Sequence, residues 1–298
     1  MLQGLPSLLH LDLHCHGRTK ISDAILRGRA LERLTIRDSY MRDMAPALGE
    51  LRSLTRLVLH ARGMTSLPDD ISLLTGLREI DLEDNFCCRL PAGLAACTNL
   101  ISLVMGSGRG MSNLTKLESL RRLSFKPCND EYFFAQEKWT PLMGLTKLCM
   151  GENMRMGLYT ACPEITGMPC LRNLVPSDCH LSDLPSGAYL SRLTSLCMFE
   201  CVFESGVPAA LTNAPQLQYL RLLGGYQDSG IMLSDSDLII LSSLPVLEYL
   251  VLQKPHDRSQ RDEWDDRVAL LMRQYETMHS RCFDTHLKIP VYTPSIYY

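Results

Sequence analysis

The sequence lacks the features that mark several broad classes of protein. No apolar stretch reaches the roughly 18 residues that a membrane-spanning helix requires, so membrane insertion is not expected. The formal net charge of -3 gives no basic excess of the kind that nucleic-acid-binding domains carry. Twelve cysteines in 298 residues fall below the density of roughly 8–10% that marks a disulfide scaffold. We therefore expect a folded protein with mostly free thiols and no nucleic-acid partner.

The first residues also lack the pattern of a signal peptide. The segment Met1-Leu2-Gln3-Gly4-Leu5-Pro6 has neither a charged start nor an unbroken apolar run, and patterned sequence follows it directly. Free thiols and the absence of this signal both favour a reducing compartment. We expect a cytoplasmic protein.

Sequence motifs of catalysis are equally scarce. The chain has no glycine-rich phosphate loop followed by lysine, no nucleophile elbow and no zinc-protease helix. We therefore expect no cofactor, no small-molecule substrate and no enzymatic activity.

What the chain does contain is a repeat of the form Leu-x-x-Leu-x-x-Leu-x-Leu. Its last two apolar positions form a pair that returns eleven times, at Leu11/Leu13, Leu34/Ile36, Leu57/Leu59, Ile80/Leu82, Leu103/Met105, Leu123/Phe125, Leu148/Met150, Leu174/Pro176, Leu196/Met198, Leu220/Leu222 and Leu250/Leu252. The first five pairs are spaced by 23 residues, and later steps vary. Each pair predicts a short strand with both members facing the core.

Two further signatures accompany the repeat. Three residues after the pair, five units carry Asn or Cys, whose side chain can turn inward and bond backbone groups of the neighbouring coil. These residues are Asn85, Cys128, Asn153, Cys179 and Cys201. Several units continue with an apolar residue followed by proline, as in Leu67-Pro68 and Leu90-Pro91, which predicts a short return segment instead of a long helix.

These residues resemble the leucine-rich-repeat superfamily over about residues 5 to 255, particularly its intracellular 23-residue class found in Ras-group-related proteins and immune-receptor repeat domains. The resemblance implies an α/β fold, a right-handed solenoid (horseshoe) with a parallel sheet on the concave side and short helical segments on the convex side. We expect one solenoid of about eleven repeats over residues 1–255. A lone unit cannot offset the ordering cost of its own backbone, so stability has to come from stacking.

The ends and interruptions of the repeat also support predictions. Apolar residues at helical spacing, Trp264, Val268, Leu271, Tyr275 and Met278, predict an amphipathic helix that caps the last coil, followed by an extended tail, within residues 256–298. At the other end the chain starts inside a repeat, so we expect either a fragment or a partner that covers this edge. The segments 129–140 and 224–237 break the period, and we expect them to loop out.

Alternation along the strands predicts which side chains face outward. We expect partner-binding residues at Arg33, Arg37, Arg56, His60, Glu79, Asp81, Glu83, Arg122, Lys126, Phe199, Tyr219, Arg221 and Tyr249, with Leu223 beside them. This order runs from basic to acidic to basic and then to aromatic, which favours an oriented protein partner over a polyanion.

Two alternatives remain open. The chain could be a regulatory or sensor repeat module of a larger immune-type receptor or ubiquitin-ligase adaptor. Alternatively, His10, Asp12 and His14, which alternate along one strand, resemble the first metal motif of binuclear metallohydrolases. The repeat already explains Leu11 and Leu13, and the remaining histidines show no matching motif, so a solvated strand is the favoured interpretation.

Overall fold

The chain forms two compact units, Met1–Leu145 and Thr146–Tyr298. In the computed structural model the described residues are 7–15, 29–38, 41–42, 44, 46–85, 89–106, 111–125, 142–151, 163–177, 184–199, 201, 206–224, 231–255, 258–279 and 291–292. The division between the units falls inside the segment 1–255, so a single solenoid domain over that segment stays a prediction.

The first unit contains six parallel strands whose neighbours in the sheet are also neighbours in sequence. They are β1 (His10–His14), β2 (Arg33–Arg37), β3 (Arg56–His60), β4 (Glu79–Leu82), β5 (Ser102–Met105) and β6 (Arg122–Phe125). The register aligns equivalent repeat positions, for example Leu34 with Leu57 and Leu57 with Ile80.

The second unit repeats this arrangement. Its strands are β7 (Lys147–Met150), β8 (Asn173–Pro176), β9 (Ser195–Met198), β10 (Tyr219–Leu222), β11 (Tyr249–Gln253) and β12 (Val291–Tyr292). Each is parallel to the next. All eleven pairs identified in the sequence lie in β1–β11, which confirms the predicted repeat fold with its parallel sheet.

The core of each coil is built from the leucines of the repeat. In the third repeat Leu51, Leu54, Leu57 and Leu59 are all 0% exposed. Fully burying one such side chain contributes about 1.5–3 kcal/mol. Because the same positions recur in neighbouring repeats, the leucines of one coil cover those of the next.

The chain returns between strands through short 3-10 helices, as the proline signature predicted. They are Pro46–Glu50, Asp69–Leu73, Ala92–Ala96, Met111–Lys116 and Leu142–Gly144 in the first unit, and Pro163–Gly167, Ala188–Arg192 and Ala209–Asn213 in the second. Pro68 (φ -67°) and Pro91 (φ -73°) each precede the helix that they start. Proline fits there because its ring fixes φ and no backbone N–H is needed.

Side-chain hydrogen bonds connect successive coils. Asn85 is 0% exposed. Its Oδ1 accepts from the Ala61 N–H at 3.1 Å, and its Nδ2 donates to the Leu59 carbonyl. Cys201 is equally buried, and its thiol lies 3.9 Å from the Pro176 carbonyl of the preceding coil and 3.3 Å from the Phe199 carbonyl of its own coil. These two residues behave as the inward-turning position predicts; the other three Asn or Cys residues at this position lie outside the described residues.

A second set of coil-to-coil bonds was not predicted. The Thr55 hydroxyl donates to the Glu32 carbonyl at 3.1 Å, and the Thr194 hydroxyl donates to the Arg172 carbonyl at the same distance. Both threonines precede a strand at the same phase of the repeat, so recurrence of threonine at that phase was the available signal.

The expectation that residues 224–237 loop out is wrong for the end of that segment. Ile231 and Leu233 are each 3% exposed, and helix α1 (Asp235–Ser242) follows them. Ser234 and Asp237 form a capping box at its start, and Asp237 also accepts the Val207 N–H at 2.7 Å. Buried Ile231 and Leu233, together with the capped helix that follows, thus return this part of the segment to the core. Residues 225–230, like the predicted loop 129–140, lie outside the described residues.

The predicted capping helix is confirmed as α2 (Arg261–His279). Trp264, Leu271 and Tyr275 are buried, at 2% exposure or less. The Trp264 indole N–H donates to the Ile231 carbonyl at 3.1 Å, and the Tyr275 hydroxyl donates to the Leu247 carbonyl at 2.6 Å. Neither α1 nor α2 nor any other described helix is long and apolar enough to cross a membrane.

Candidate protein-binding surfaces

The charged residues at outward positions of the first unit form one surface, here called the charged face. Its members are His10, Asp12, His14, Arg33, Arg37, Arg56, His60, Glu79, Asp81, Glu83 and Arg122. The histidines, aspartate and arginines of β1 and β2 are exposed, whereas His60, Glu79 and Asp81 are half-buried. Alternation places these side chains outward because the repeat pair between them points inward.

Glu79 is the centre of a cross-strand ion-pair network. Its two carboxylate oxygens lie 3.1 Å from Arg56 Nη1 on β3 and 3.1 Å from Arg122 Nη2 on β6. Arg122 reaches Glu79 across β5, where the short side chain of Ser102 aligns with both residues. Each exposed pair contributes only about 0–1 kcal/mol, so the network orders the side chains more than it stabilises the fold.

His60 joins the next acidic residues. Its Nε2 lies 3.3 Å from Asp81 Oδ1, and its Nδ1 lies 3.6 Å from Asp84 Oδ2. Asp84 was not in the predicted set because the period of two that assigns Asp81 and Glu83 outward assigns position 84 inward, whereas the chain turns there.

The three residues of the possible metal motif do not form a cation site in this arrangement. Arg37 Nη1 lies 3.5 Å from Asp12 Oδ2 and 2.9 Å from His14 Nε2. A guanidinium in contact with both side chains places a positive charge where a metal ion would have to bind. Within the described ranges no group of three or more His, Cys, Asp or Glu residues is arranged to hold a metal.

Three predicted residues stand apart from these clusters. Arg33 and Glu83 are exposed, and neither side chain forms an ion pair among the residues that the structure describes. Lys126 lies outside the described residues. Arg33 and Glu83 therefore present charges that no described side chain neutralises.

The predicted aromatic residues of the second unit form a contiguous group with Arg221. This group, here called the aromatic cluster, consists of Phe199, Tyr219, Arg221 and Tyr249. The rings of Tyr219 and Tyr249, paired residues of β10 and β11, stack with centroids 5.0 Å apart and planes inclined by 7°. Arg221 Cζ lies 4.8 Å from the centre of the Phe199 ring, a cation–π contact. All four side chains are half-buried.

Two half-buried thiols lie at outward positions of the strands in this unit. Cys149 on β7 and Cys197 on β9 are half-buried, and Cys197 aligns with Arg221. Burial raises the pKa of both thiols above 9.0, so they stay protonated and uncharged at neutral pH. Burial likewise raises the pKa of the Tyr219 hydroxyl, which keeps it a hydrogen-bond donor.

One expected outward residue is not available. Leu223, predicted beside the aromatic cluster, is only 6% exposed. It follows β10 directly, and its backbone N–H donates to the Met198 carbonyl at 2.9 Å, which holds it against the preceding coil. Lys147 on β7 is exposed and was missed, although it precedes Leu148 at the same outward position that Arg33 and Arg122 occupy in their repeats.

Comparisons with known proteins agree with this fold. A family profile described as a leucine-rich repeat region matches residues 25–284. An internalin (inlF) from Listeria monocytogenes is 17% identical, with a TM-score of 0.53 and coverage of 91% of this chain and 80% of that chain. A leucine-rich-repeat protein from Leptospira interrogans is 15% identical, with a TM-score of 0.37 and coverage of 91% and 89%.

A plant peptide hormone receptor, RGFR1 in complex with RGF2, is 18% identical, with a TM-score of 0.44 and coverage of 82% of this chain and 36% of that chain. No curated protein matches the sequence significantly. The family profile covers well over half of the chain and includes strands β2 to β11. The chain therefore belongs to the leucine-rich-repeat family.

Proposed function

We propose that this protein is a non-catalytic scaffold that binds a partner protein through the outward faces of its strands, on the concave side of the repeats. The observation that supports this most directly is the cross-strand organisation of those faces: Arg56, Glu79 and Arg122, from three different repeats, hold one another in place. Side chains ordered before binding lose less entropy on association.

The chemistry of these faces favours a protein as the partner. The charged face carries both signs, and complementary charges of both signs orient a protein partner and set its association rate. The aromatic cluster adds tyrosine and arginine, the residue types that dominate the energetics of protein interfaces.

The class of the protein within the family and its location in the cell belong to the same proposal. The 23-residue steps of the first five pairs support an assignment to the intracellular class of the family. Buried Cys97 and Cys201 donate hydrogen bonds through their thiols, a role that only reduced cysteine can fill. Reduced thiols support a cytoplasmic location as part of this proposal, where a scaffold with a signalling role would meet its partner.

A crosslinking pull-down from native lysate tests the proposal with three baits. The first carries Arg33→Glu and Glu83→Lys on the charged face, and the second carries Tyr219→Ala and Tyr249→Ala in the aromatic cluster. The third is a matched control, Glu50→Lys with Arg52→Glu, because both residues are exposed on the return side. Circular dichroism checks that every bait is folded.

We expect the wild type and the control to capture the same protein. One of the face variants should capture at least about tenfold less of it, which corresponds to a loss of about 1.4 kcal/mol in binding free energy. Capture that both face variants retain at the wild-type level would contradict binding through the strand faces.

A further inference from the structure

One outward row of side chains crosses five neighbouring strands of the second unit, from β7 to β11. Each member precedes the inward pair of its repeat and aligns with the next member: Lys147, Asn173, Ser195, Tyr219 and Tyr249. Ser195 has the shortest side chain of the row and lies between Asn173 and Tyr219. The row therefore has a gap above Ser195, here called the Ser195 gap.

The tyrosine stack forms one wall of this gap. The rings of Tyr219 and Tyr249 are parallel, with centroids 5.0 Å apart, close to the spacing of about 4.8 Å between neighbouring strands. Parallel rings at this distance stack face to face, because rings placed side by side would overlap. Tyr249 thus covers one face of the Tyr219 ring, and the other face is directed along the row toward β9 and the Ser195 gap.

The width of the Ser195 gap suits one aromatic ring. Asn173 and Tyr219 are two strand steps apart, which is roughly 9.6 Å at about 4.8 Å a step. Aromatic rings pair with centroids about 4.5–7 Å apart, so a ring midway between the two walls would lie within stacking distance of Tyr219. Ser195 itself is half-buried, so solvent still reaches the floor of the gap.

The opposite wall carries an amide without a hydrogen bond. Asn173 is half-buried, and its side chain makes no hydrogen bond with another described residue. A polar group that is partly removed from water gains when a ligand supplies its missing partner. The backbone of a peptide beside an inserted ring offers this amide both a donor and an acceptor. The two walls therefore suit an aromatic side chain that is attached to a peptide backbone.

Positive charge lies beyond the Asn173 wall. Lys147 and Arg172 are exposed, and neither forms an ion pair within the part of the chain that the structure describes. Lys147 is two strand steps from Ser195, again roughly 9.6 Å. A polyproline II segment has three residues per turn and rises about 3.1 Å per residue, so side chains three positions apart share one side and are separated by about 9.3 Å. A carboxylate three positions from the inserted ring would therefore reach Lys147.

We propose that the Ser195 gap binds one aromatic side chain of a partner protein, which continues the stack of Tyr219 and Tyr249 as a third ring. The segment that carries it adopts the polyproline II conformation, crosses the strands along the row, and presents Asp or Glu three positions away to Lys147. The inference rests on the proposed scaffold function and names the kind of segment recognised.

A nucleobase is the other planar group that could continue the stack. Single-stranded nucleic acid is usually bound in a basic groove that follows many phosphates. The row holds one cation, Lys147, and the whole chain has a net charge of -3. This charge balance favours an aromatic side chain over a base.

Selection from a random-peptide phage library on the immobilised full chain provides the test. We expect the enriched peptides to share an aromatic residue with Asp or Glu three positions away. The most enriched peptide is then synthesised with a fluorescein label, and its binding to the variants is measured by fluorescence anisotropy.

Ser195→Tyr fills the gap with a ring of the protein itself. Tyrosine occupies the equivalent position in the next two repeats, so we expect this variant to fold, as checked by circular dichroism. It should bind the peptide at least about tenfold more weakly than the wild type, the loss typical of a removed interface anchor. Ser195→Ala leaves the gap open and should remain within about twofold of the wild type. Tyr219→Leu removes the stacking face and should also lose about tenfold, so the result does not depend on one variant.

The peptide itself provides the complementary changes. Replacing its aromatic residue by Leu should weaken binding to the wild type about tenfold and binding to Ser195→Tyr by less than about twofold. Replacing its acidic residue by Gln should weaken binding to the wild type about threefold and binding to Lys147→Gln hardly at all, because an exposed ion pair contributes little. Arg192→Gln, at an exposed arginine on the return side of the same unit, is the matched control and should behave as the wild type.

Three results would overturn the inference: no peptide enriched, enriched peptides without a shared aromatic residue, or a peptide that binds Ser195→Tyr as tightly as the wild type. An acidic residue that contributes equally with and without Lys147 would overturn the contact to that lysine. Labelled oligouridine that displaces the peptide and fails to bind Ser195→Tyr would assign the gap to nucleic acid instead. The scaffold proposal would survive each of these results if the pull-down still captures a partner that the charged-face variant loses.

Discussion

At the scale of single residues, Asn85 connects two coils through a buried amide. Removal of its side chain in Asn85→Ala leaves the Leu59 carbonyl and the Ala61 N–H buried without their partner. Because unsatisfied buried groups cost about 1–3 kcal/mol each, we expect a loss of about 3 kcal/mol in unfolding free energy, measured by urea denaturation.

Asn99 provides the control for this prediction. It makes a single exposed bond, from Nδ2 to the Thr75 carbonyl at 2.9 Å, so Asn99→Ala should cost below about 1 kcal/mol. Equal losses for the two variants would show that burial of Asn85 does not matter to its role.

The sequence predicts the position of charged residues better than their contacts. Strand alternation placed Glu79 and Arg122 on one face, but their contact joins residues 43 positions apart and depends on the small side chain of Ser102 between them. Such a contact follows from three-dimensional register, which a pattern in one repeat does not contain. The same limit explains why Arg37 beside Asp12 and His14 was not foreseen.

At the scale of elements, one stripe of buried side chains holds helix α2 against the last coil. Leu271 is 0% exposed and its neighbour Leu270 is 38% exposed, so the same substitution can be made at adjacent sites of one helix. We expect Leu271→Ala to lower the unfolding free energy by about 2–5 kcal/mol, the usual cost of a buried cavity, and Leu270→Ala by less than about 0.5 kcal/mol.

Guanidinium denaturation monitored by circular dichroism distinguishes the two variants. Equal midpoints for Leu270→Ala and Leu271→Ala would contradict the burial of this stripe against the last coil.

The two helices differ in how far the sequence reveals them. For α2 the apolar spacing from Trp264 to Tyr275 predicts both the helix and its buried side. Helix α1 spans only eight residues and exposes Ile239, so its periodicity is weak. Its signal was the capping pair Ser234 and Asp237, three residues apart, which marks a helix start even where periodicity does not.

At the scale of the whole molecule, the backbone hydrogen bonds and the buried side-chain bonds described between coils join neighbouring coils, so destabilisation should stay local. Leu34 and Leu250, both 0% exposed, occupy the same repeat position in the first and second units. We expect Leu34→Ala to raise amide hydrogen exchange mainly in β1–β3, and Leu250→Ala mainly in β10 and β11.

Hydrogen exchange with mass spectrometry measures both variants under native conditions. A uniform rise in exchange along the chain, whichever leucine is replaced, would indicate all-or-none unfolding and contradict local propagation.

The eleven apolar pairs made the fold predictable along the whole chain because every repeat carries its own copy of the signal. The division into two units near residue 145 was not predictable, since the pairs at Leu123/Phe125 and Leu148/Met150 continue the pattern on both sides of it. Such a division depends on how many contacts residues make within each unit and between the units. The repeat pattern gives no information on these contacts.

The sequence separation of the coil-to-coil bonds also determines whether a repeat can be added to the chain. Thr55 and Asn113 each bond a carbonyl 23 residues earlier, one period back. An in-frame duplication of a 23-residue block would therefore recreate those bonds on both sides of the new copy. The bonds of Trp264 and Asp237 span 33 and 30 residues and join unlike partners, so a copied cap would find no match. The coil-to-coil bonds are thus compatible with a change in repeat number, whereas the bonds of the C-terminal cap are not compatible with its duplication.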